Sequence, residues 1–257
     1  MKQLLLFFTI LLVGCTPSGK TLKVAATPLP HAEILKVIEP ELKKEGIRLK
    51  IIEVDDYTIP NRLLAEKQVD ANFFQHRPFL DDQVNRFGYE IEELTKVHIE
   101  PLGIYSQKVK SLNDVKDGSL IAIPSDPINE ARALNLLADV GLITLHPIAK
   151  GSYATPLDIA DNPKKLKLEE IDAPFLPRTL KDVTLAVIPV NFALQGHLNP
   201  AQAIASEDTN SPYANIIAIR KGDEKREEII ALKKQMNSAA VKAFIISRYE
   251  GAIQPAF

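Results

Sequence analysis

The chain lacks several features by which common protein classes are identified. It has a single cysteine, Cys15, so a disulfide bond within the chain is excluded. Its 31 basic and 33 acidic side chains give a formal net charge of −2, and no long run of either sign occurs. A basic stripe interleaved with aromatic residues is also missing. We therefore do not expect nucleic acid to be a partner.

Motifs of several enzyme classes are missing too. The chain has no Gly-Lys-Ser/Thr phosphate loop, no Gly-x-Ser-x-Gly elbow and no glycine-rich dinucleotide fingerprint. No two of its histidines have the close helical spacing of a zinc-protease helix. Asp55 and Asp56 are adjacent, and neighbouring side chains on an extended segment point apart, which favours a solvated loop over acid–base catalysis. We therefore expect no enzyme, no cofactor and no metal site.

What the chain does have, at its start, is the pattern of an export signal. A basic beginning, Met1-Lys2, precedes an apolar run over residues 4–13 and then Gly14-Cys15. The run is about half of the ~20 residues that a membrane-crossing helix needs. Residues 12–15 resemble the bacterial lipobox, so we expect a signal peptide over residues 1–14, a lipid on Cys15 and a polar tether over residues 15–21. The protein would be lipid-anchored to the cell membrane, facing the periplasm or the cell exterior.

The apolar pattern predicts an α/β fold. Short apolar strands alternate with segments of helical period, which predicts parallel sheets covered by helices. The predicted strands are residues 22–26, 48–54, 69–74, 120–123, 183–188 and 216–219. The predicted helices are residues 31–45, 60–67, 78–86, 126–140, 224–236 and 238–249. The pattern restarts near residue 120, so we predict one lobe of residues 22–103 plus 206–257 and a second of residues 104–205.

Several candidate ligand-binding residues follow predicted strands, where ligands of α/β sheets sit. Asp126-Pro127 is a helix start, and Arg132, in the second turn, could hold a carboxylate with a guanidinium fork; a solvated helix arginine is the alternative. Alternation puts the rings of Phe73 and Phe74 on opposite faces, so one is predicted in the core and the other could line a pocket. His76 could bond a ligand or only a backbone carbonyl.

A set of segments carries a resemblance to a known family. They are Thr-Pro-Leu-Pro-His-Ala-Glu-Ile at residues 27–34, Asp-Tyr at 56–57, Pro-Asn at 60–61, Asp-Ala-Asn-Phe-Phe-Gln-His at 70–76, Ser-Pro-Tyr-Ala-Asn at 211–215, and matches within 123–134. Along essentially its whole length the chain resembles the methionine-binding lipoproteins of ABC methionine importers, the NlpA or MetQ family. Any one segment alone would be weak.

The resemblance implies a two-lobed, type II-like periplasmic-binding-protein fold that closes on an amino acid and delivers it to an ABC permease and its ATPase. The implied ligand is methionine, with D-methionine, a related amino acid or a short methionine peptide as alternatives. Arg132 would hold the ligand's carboxylate and Asn215 its polar backbone groups. The residues implied for the side-chain pocket are Tyr57, Phe74, His76 and Phe79.

Three departures from the family pattern bear on the ligand. Phe79 stands where the family often has Tyr. Residues 128–131, Ile-Asn-Glu-Ala, replace Ser-Asn-Gly-Gly and would add bulk and a negative charge near the carboxylate site. Pro189 replaces a ligand-contacting Asn, so that contact is lost or moved to Asn191.

These departures leave two other roles open. One is a surface-exposed lipoprotein with an interaction or adhesion role or a different small ligand. The other is a metal or anion receptor using His31, His76 and His98. For the methionine role, we expect an Arg132→Ala change to weaken binding while barely changing fold stability.

Overall fold

The computed structural model describes residues 19–149, 151–208 and 212–257. Cys15 and the predicted signal peptide lie outside these ranges. The strands are β1 Lys20–Ala26, β2 Ile47–Glu53, β3 Ala71–His76, β4 Ile91–Ile99, β5 Leu102–Tyr105, β6 Leu120–Pro124, β7 Thr144–Leu145, β8 Ile159–Asp161, β9 Lys167–Ile171, β10 Leu185–Pro189, β11 Ala205–Ser206, β12 Ala214–Arg220 and β13 Gln254–Pro255. The α-helices are α1 Glu33–Lys44, α2 Ile59–Ala65, α3 Arg77–Phe87, α4 Pro127–Asp139, α5 Leu176–Thr179, α6 Val190–Gln195, α7 Glu227–Met236 and α8 Ala239–Tyr249.

Two separate sheets organise the fold. The first has six strands in the order β13-β4-β12-β3-β1-β2, and the second has five in the order β11-β5-β10-β6-β9. The chain passes from the first sheet to the second between Ile99 and Leu102 and returns between Ser206 and Ala214. The predicted mixed α/β class is confirmed, whereas the lobe boundaries stay a prediction.

The prediction of parallel sheets is wrong, because both sheets are mixed. In the first, β1 is parallel to β2 and β3, but β12 lies between β3 and β4 and runs antiparallel to both. In the second, β6 is parallel to β9 and β10, while β5 is antiparallel to β10. The reversed strand β12 is the one that returns from the other sheet, and apolar patterning carries no information on that direction.

Several predicted boundaries shift, and several strands were missed. β1 begins at Lys20, where strand pairing with β2 starts, so the last two residues of the predicted tether belong to a strand. β3 lies two residues later than predicted, and all six of its side chains are buried. The strands β4 and β9 are rich in Glu and Lys, which hides their alternation in the sequence.

Each sheet has its own hydrophobic core. One core packs β1, β2 and β3 against α1, α7 and α8 and includes Phe73. A second packs β5, β6 and β10 against α4. A smaller cluster of Phe74, Phe79 and Ile128, with Tyr57 against it, joins residues of the first sheet's side to α4. Within the described ranges, no helix is long and apolar enough to span a membrane.

Candidate ligand-binding site

A small cavity lies where the two sheets meet. Its wall brings together all seven residues predicted from the sequence: Tyr57, Phe74, His76, Phe79, Arg132, Asn191 and Asn215. It also contains four that were not predicted as ligand contacts: Gln75, Glu100, Asn129 and Pro189. The cavity has an aromatic end and a polar end.

Three aromatic rings form the aromatic end. The centroids of Tyr57 and Phe74 are 5.9 Å apart, those of Tyr57 and Phe79 are 5.8 Å apart, and those of Phe74 and Phe79 are 5.9 Å apart at 83°. The two pairs that include Phe79 are edge-to-face, a geometry that aromatic pairs prefer, and the Tyr57–Phe74 pair is tilted at 44°. Since Phe73 lies in the first core and Phe74 in this wall, the two neighbouring rings do face opposite sides.

The altered segment at residues 128–131 does not act on the cavity as the sequence suggested. Ile128 packs against Phe74 and Phe79, so its bulk adds to the aromatic end. Glu130 is directed at Glu170 of β9 and is not part of the cavity wall. Burial, and then the neighbouring Glu170, raise the pKa of Glu130 to about 7. The expected negative charge beside the carboxylate site is therefore directed away from it.

Arg132 occupies the polar end, but most of its donors are already bonded. Its Nε and Nη2 donate to the carboxylate of Glu207 at 3.1 and 2.6 Å, Nη1 donates to Asn129 at 2.9 Å, and Nη2 also donates to the Glu100 carbonyl at 3.2 Å. The guanidinium lies over the ring of Tyr213, 4.1 Å from its centroid. These bonds use four of the five N–H groups of the side chain. The Nε–Nη2 edge of the guanidinium is bonded to Glu207, so the second N–H of Nη1 is the donor left for a ligand, and the role of Arg132 in holding a carboxylate stays a prediction.

Two asparagines line the cavity, and the amide oxygen of each is engaged by another side chain. The Tyr57 hydroxyl donates to Asn191 Oδ1 at 2.8 Å, and Asn191 Nδ2, buried in the cavity wall, finds no hydrogen-bond partner among the described residues. His31 Nε2 lies 3.0 Å from Asn215 Oδ1. With both amide oxygens engaged by protein side chains, the amide nitrogens are the groups left for a ligand. Pro189 ends β10 and is the N-cap residue of α6, so Asn191 lies in the first turn of that helix.

His76 is bonded on both ring nitrogens. Its Nδ1 accepts the Phe79 backbone N–H at 3.2 Å, which caps α3, and its Nε2 lies 3.3 Å from Asn129 Oδ1. Burial, and then the charge of Arg132, lower the pKa of His76 to about 3, so the ring is neutral. The backbone partner of His76 is thus an N–H and not the carbonyl predicted as the alternative, and its hydrogen bond to a ligand stays a prediction.

Glu100 is the carboxylate of the cavity wall, and it sits beside two buried histidines. His98 Nε2 is 2.5 Å from Glu100 Oε1, and His31 Nε2 is 3.4 Å from the same atom. Burial raises the pKa of Glu100, while it lowers the pKa values of His31 to about 4 and of His98 to about 3. Possible metal-ligand atoms of His31, His98 and Glu100 lie within 4.8 Å of one another, and His76 does not belong to this group.

Sequence reasoning missed Glu100 because the alternation of β4 was not recognised. The end of β4 does not alternate, since the neighbouring residues Val97 and His98 are both fully buried just before Glu100. Gln75 was missed as well, but its amide is reciprocally bonded to Asn61 at 2.7 and 2.8 Å. That network holds β3 against α2.

Comparison with known proteins agrees with this architecture. The chain is 41% identical to the methionine-binding lipoprotein MetQ of Bacillus subtilis, over 99% of this chain and 97% of that protein. It is 40% identical to the D-methionine-binding lipoprotein MetQ of Salmonella typhimurium, over 86% and 84%. A nutrient-binding protein from Burkholderia cenocepacia, solved bound to methionine, superposes with a TM-score of 0.89 at 44% identity, over 92% of this chain and 100% of that one. The profile of the NlpA lipoproteins matches residues 22–257, and the chain belongs to that family.

Proposed function

We propose that this protein is the substrate-binding lipoprotein of an ABC importer and that it binds methionine as a zwitterion in the cavity between its two sheets. The observation that supports this most is the division of the cavity. One end is formed by aromatic rings, and the other combines amide donors, a guanidinium and a carboxylate. An amino acid with an unbranched apolar side chain matches both ends at once.

The ligand's carboxylate would lie among donors. Asn191 Nδ2 and Asn215 Nδ2 would donate to it, because their amide oxygens are engaged by Tyr57 and His31. The fifth N–H of Arg132, on Nη1, adds a charge-assisted donor. Three donors from three parts of the chain would fix the position of a carboxylate, which offers about four lone-pair sites.

The ligand's ammonium would lie against Glu100. This side chain is the carboxylate of the cavity wall, and the backbone N–H of Asn191 bonds it. A ligand ammonium would offset the burial that raises the Glu100 pKa, since an opposite charge favours the ionised form. Deaminated or N-acetylated analogues would leave this buried carboxylate without a cation, so we expect them to bind much more weakly.

The side chain would lie between Tyr57, Phe74 and Phe79. A thioether makes favourable contacts with aromatic ring edges, of about 0.3 to 1.5 kcal/mol each. Each buried methylene contributes roughly 0.8 kcal/mol, so an unbranched chain is distinguished from Ala better than from Leu or norleucine. Phe79 carries no hydroxyl, which keeps this end apolar.

The proposed role also involves two lobes, a lipid anchor and a membrane transporter. The two lobes are residues 22–103 plus 206–257 and residues 104–205, joined by the two crossings between the sheets, and they close on the ligand. A lipid on Cys15 would hold the protein at the membrane outside the cytoplasm. A permease and a separate ATPase would receive methionine from the closed form. In this role the protein binds and releases its ligand unchanged and is not an enzyme.

The test is calorimetric titration of purified protein, stripped of ligand by denaturation and refolding, with L-methionine, D-methionine and a panel of amino acids and short methionine peptides. We expect one saturable site led by methionine. Binding led by another compound would keep the receptor role but replace the ligand. A refolded protein that binds none of these compounds would contradict the proposal and favour the surface-interaction role.

A matched pair of variants links binding to the cavity. Asn191→Leu removes the amide nitrogen that faces the cavity, so we expect at least a tenfold loss of methionine affinity. Asn199→Leu changes the same residue type in the nearby turn after α6, outside the cavity wall, and should bind as the parent does. Equal affinities for the two variants would place the ligand elsewhere.

A further inference from the structure

A buried hydrogen-bond chain runs from the first helical turn to the cavity. Thr27, at the end of β1, and His31 are both fully buried. The Thr27 hydroxyl lies 2.6 Å from His31 Nδ1, and His31 Nε2 lies 3.0 Å from Asn215 Oδ1. His31 itself is not part of the cavity wall. It contacts the wall through Asn215 and Glu100, 184 and 69 residues away in the sequence.

The partners of His31 fix its proton. Its Nε2 faces two oxygens, Asn215 Oδ1 at 3.0 Å and Glu100 Oε1 at 3.4 Å, so Nε2 must carry hydrogen to avoid facing them with a lone pair. The ring is neutral, so with the hydrogen on Nε2 the Nδ1 atom accepts from the Thr27 hydroxyl, and the Leu29 backbone also contacts the ring. Asn215 therefore receives a hydrogen bond on its oxygen and turns its amide nitrogen away from His31.

The hydrogen bonds of His98 argue against a metal ion bound by His31, His98 and Glu100. Metal-ligating histidines almost always donate their other ring N–H to a partner, which fixes the tautomer. If His98 bound a metal through Nε2, its proton would move to Nδ1, which is buried and finds no partner in the described part of the chain. When the Nε2–H of His98 is donated to Glu100 at 2.5 Å, Nδ1 keeps only a lone pair, so the ring has no buried N–H without an acceptor.

We propose that His31 is a positioning residue for ligand recognition: held in one tautomer by Thr27, it fixes Asn215 with its amide nitrogen toward the cavity, and so selects a ligand with a carboxylate at that position. This inference rests on the proposed function, because it assigns the ligand's carboxylate to Asn215. His31 acts through Asn215 and does not touch the ligand.

The consequence is a coupling between two residues that a purely structural histidine would not show. Without the donor at Nε2, Asn215 can rotate its amide, and its oxygen can face the ligand's carboxylate. Glu100 keeps its hydrogen bond from His98 at 2.5 Å when His31 is replaced, so the loss of methionine affinity depends on Asn215 being present to be misplaced. A histidine that merely fills space would cost the same affinity with or without Asn215.

The experiment is a double-mutant cycle on methionine affinity, measured by calorimetry, with His31→Leu, Asn215→Ala and the combined variant. We expect His31→Leu to weaken binding about tenfold or more in the parent, and less than about twofold in the Asn215→Ala background. His31→Gln, which can still donate to Asn215, should retain more affinity than His31→Leu. His146→Gln, on the exposed surface, is the matched control and should bind as the parent does.

Thr27→Val supplies a second variant of nearly unchanged shape if His31→Leu does not fold. It removes the hydroxyl that sets the tautomer of His31. We expect a three- to tenfold loss of methionine affinity, which corresponds to about the net contribution of one neutral hydrogen bond or half of it. Losses at His31 and Asn215 that multiply in the combined variant, or parent-like binding by His31→Leu, would overturn the inference. A parent protein that fails to bind methionine would instead refute the proposed function.

Discussion

Removing one partner of the Arg132–Glu207 pair is predicted to destabilise the fold, contrary to what the sequence suggests for a binding-site arginine. Arg132 is 4% exposed and Glu207 14% exposed, and two hydrogen bonds of 2.6 and 3.1 Å join them. Glu207 also accepts the Leu102 backbone N–H at 2.8 Å, beside one crossing between the sheets. A single replacement of Arg132 leaves a mostly buried carboxylate without its cation.

The magnitude follows from that burial. Breaking a fully buried ion pair costs about 3 to 5 kcal/mol, and the residual exposure of Glu207 lowers the expectation for Arg132→Met to about 2 to 4 kcal/mol. For a chain of this size, each kcal/mol shifts the melting temperature by roughly 2 to 4 °C. Glu207→Gln in the same background should recover about half or more of the loss, because the unpaired charge is gone. Methionine affinity should fall ten- to a hundredfold in both Arg132 variants, since the charge-assisted donor to the ligand is missing.

The assay is urea unfolding without ligand of four proteins: the parent, Arg132→Met, Glu207→Gln and the double variant. Together they form a double-mutant cycle. Arg86→Met, on the exposed side of α3, is the matched control, and its pair with Asp82 at 3.6 Å should contribute less than about 1 kcal/mol. An Arg132→Met protein as stable as the parent would refute the reasoning, and so would a double variant that is no more stable than Arg132→Met.

Three further predictions concern acid stability, the Glu130–Glu170 carboxyl pair and the aromatic end. Folding lowers the pKa values of His31, His76 and His98 to about 4, 3 and 3, so the unfolded chain takes up protons first as the pH falls. The stabilising effect of the three neutral rings is complete above pH 6.5 and is lost as pH falls toward these values, by up to about 1.4 kcal/mol per pH unit for each. Urea unfolding from pH 7 to 5 measures this loss, and a free energy of unfolding that does not change with pH would contradict it. Folding raises the pKa of Glu130 to about 7, so the contribution of this carboxyl to stability is complete below pH 4.5 and is lost as pH rises through 7. Glu130→Gln should therefore raise the melting temperature at pH 8 more than at pH 5, and an equal effect at both would be inconsistent with the Glu130–Glu170 pair. Phe79→Tyr adds a buried hydroxyl among rings and should weaken methionine binding about three- to tenfold by calorimetry, whereas tighter binding would show that this end accepts a polar group.

Local features of the fold could be predicted because each depends on neighbouring residues. Asp126 accepts the Asn129 backbone N–H at 3.0 Å and Pro127 begins α4, as the cap pattern predicted. Gly46 and Gly141 follow the ends of α1 and α4 with φ of 76° and 75°, a conformation that glycine adopts without strain. The alternation of apolar strands and periodic helices gave the α/β class for the same reason.

Contacts between distant segments could not be predicted. Arg132 meets Glu207 across 75 residues, and nothing near either residue signals the pair. The direction of β12 depends on where the chain returns from the second sheet, and the charged face of β4 concealed the strand that leads to Glu100. The cavity residues were found because a family resemblance named them, but the orientation of Asn191 and Asn215 required the positions of Tyr57 and His31.

The most direct test of the account is a crystal structure of the protein grown with L-methionine. The account predicts the ligand's carboxylate within hydrogen-bond distance of Asn191 Nδ2 and Asn215 Nδ2, its ammonium beside Glu100, and its sulfur among the rings of Tyr57, Phe74 and Phe79. A methionine with its carboxylate at the aromatic end, or bound outside this cavity, would contradict it.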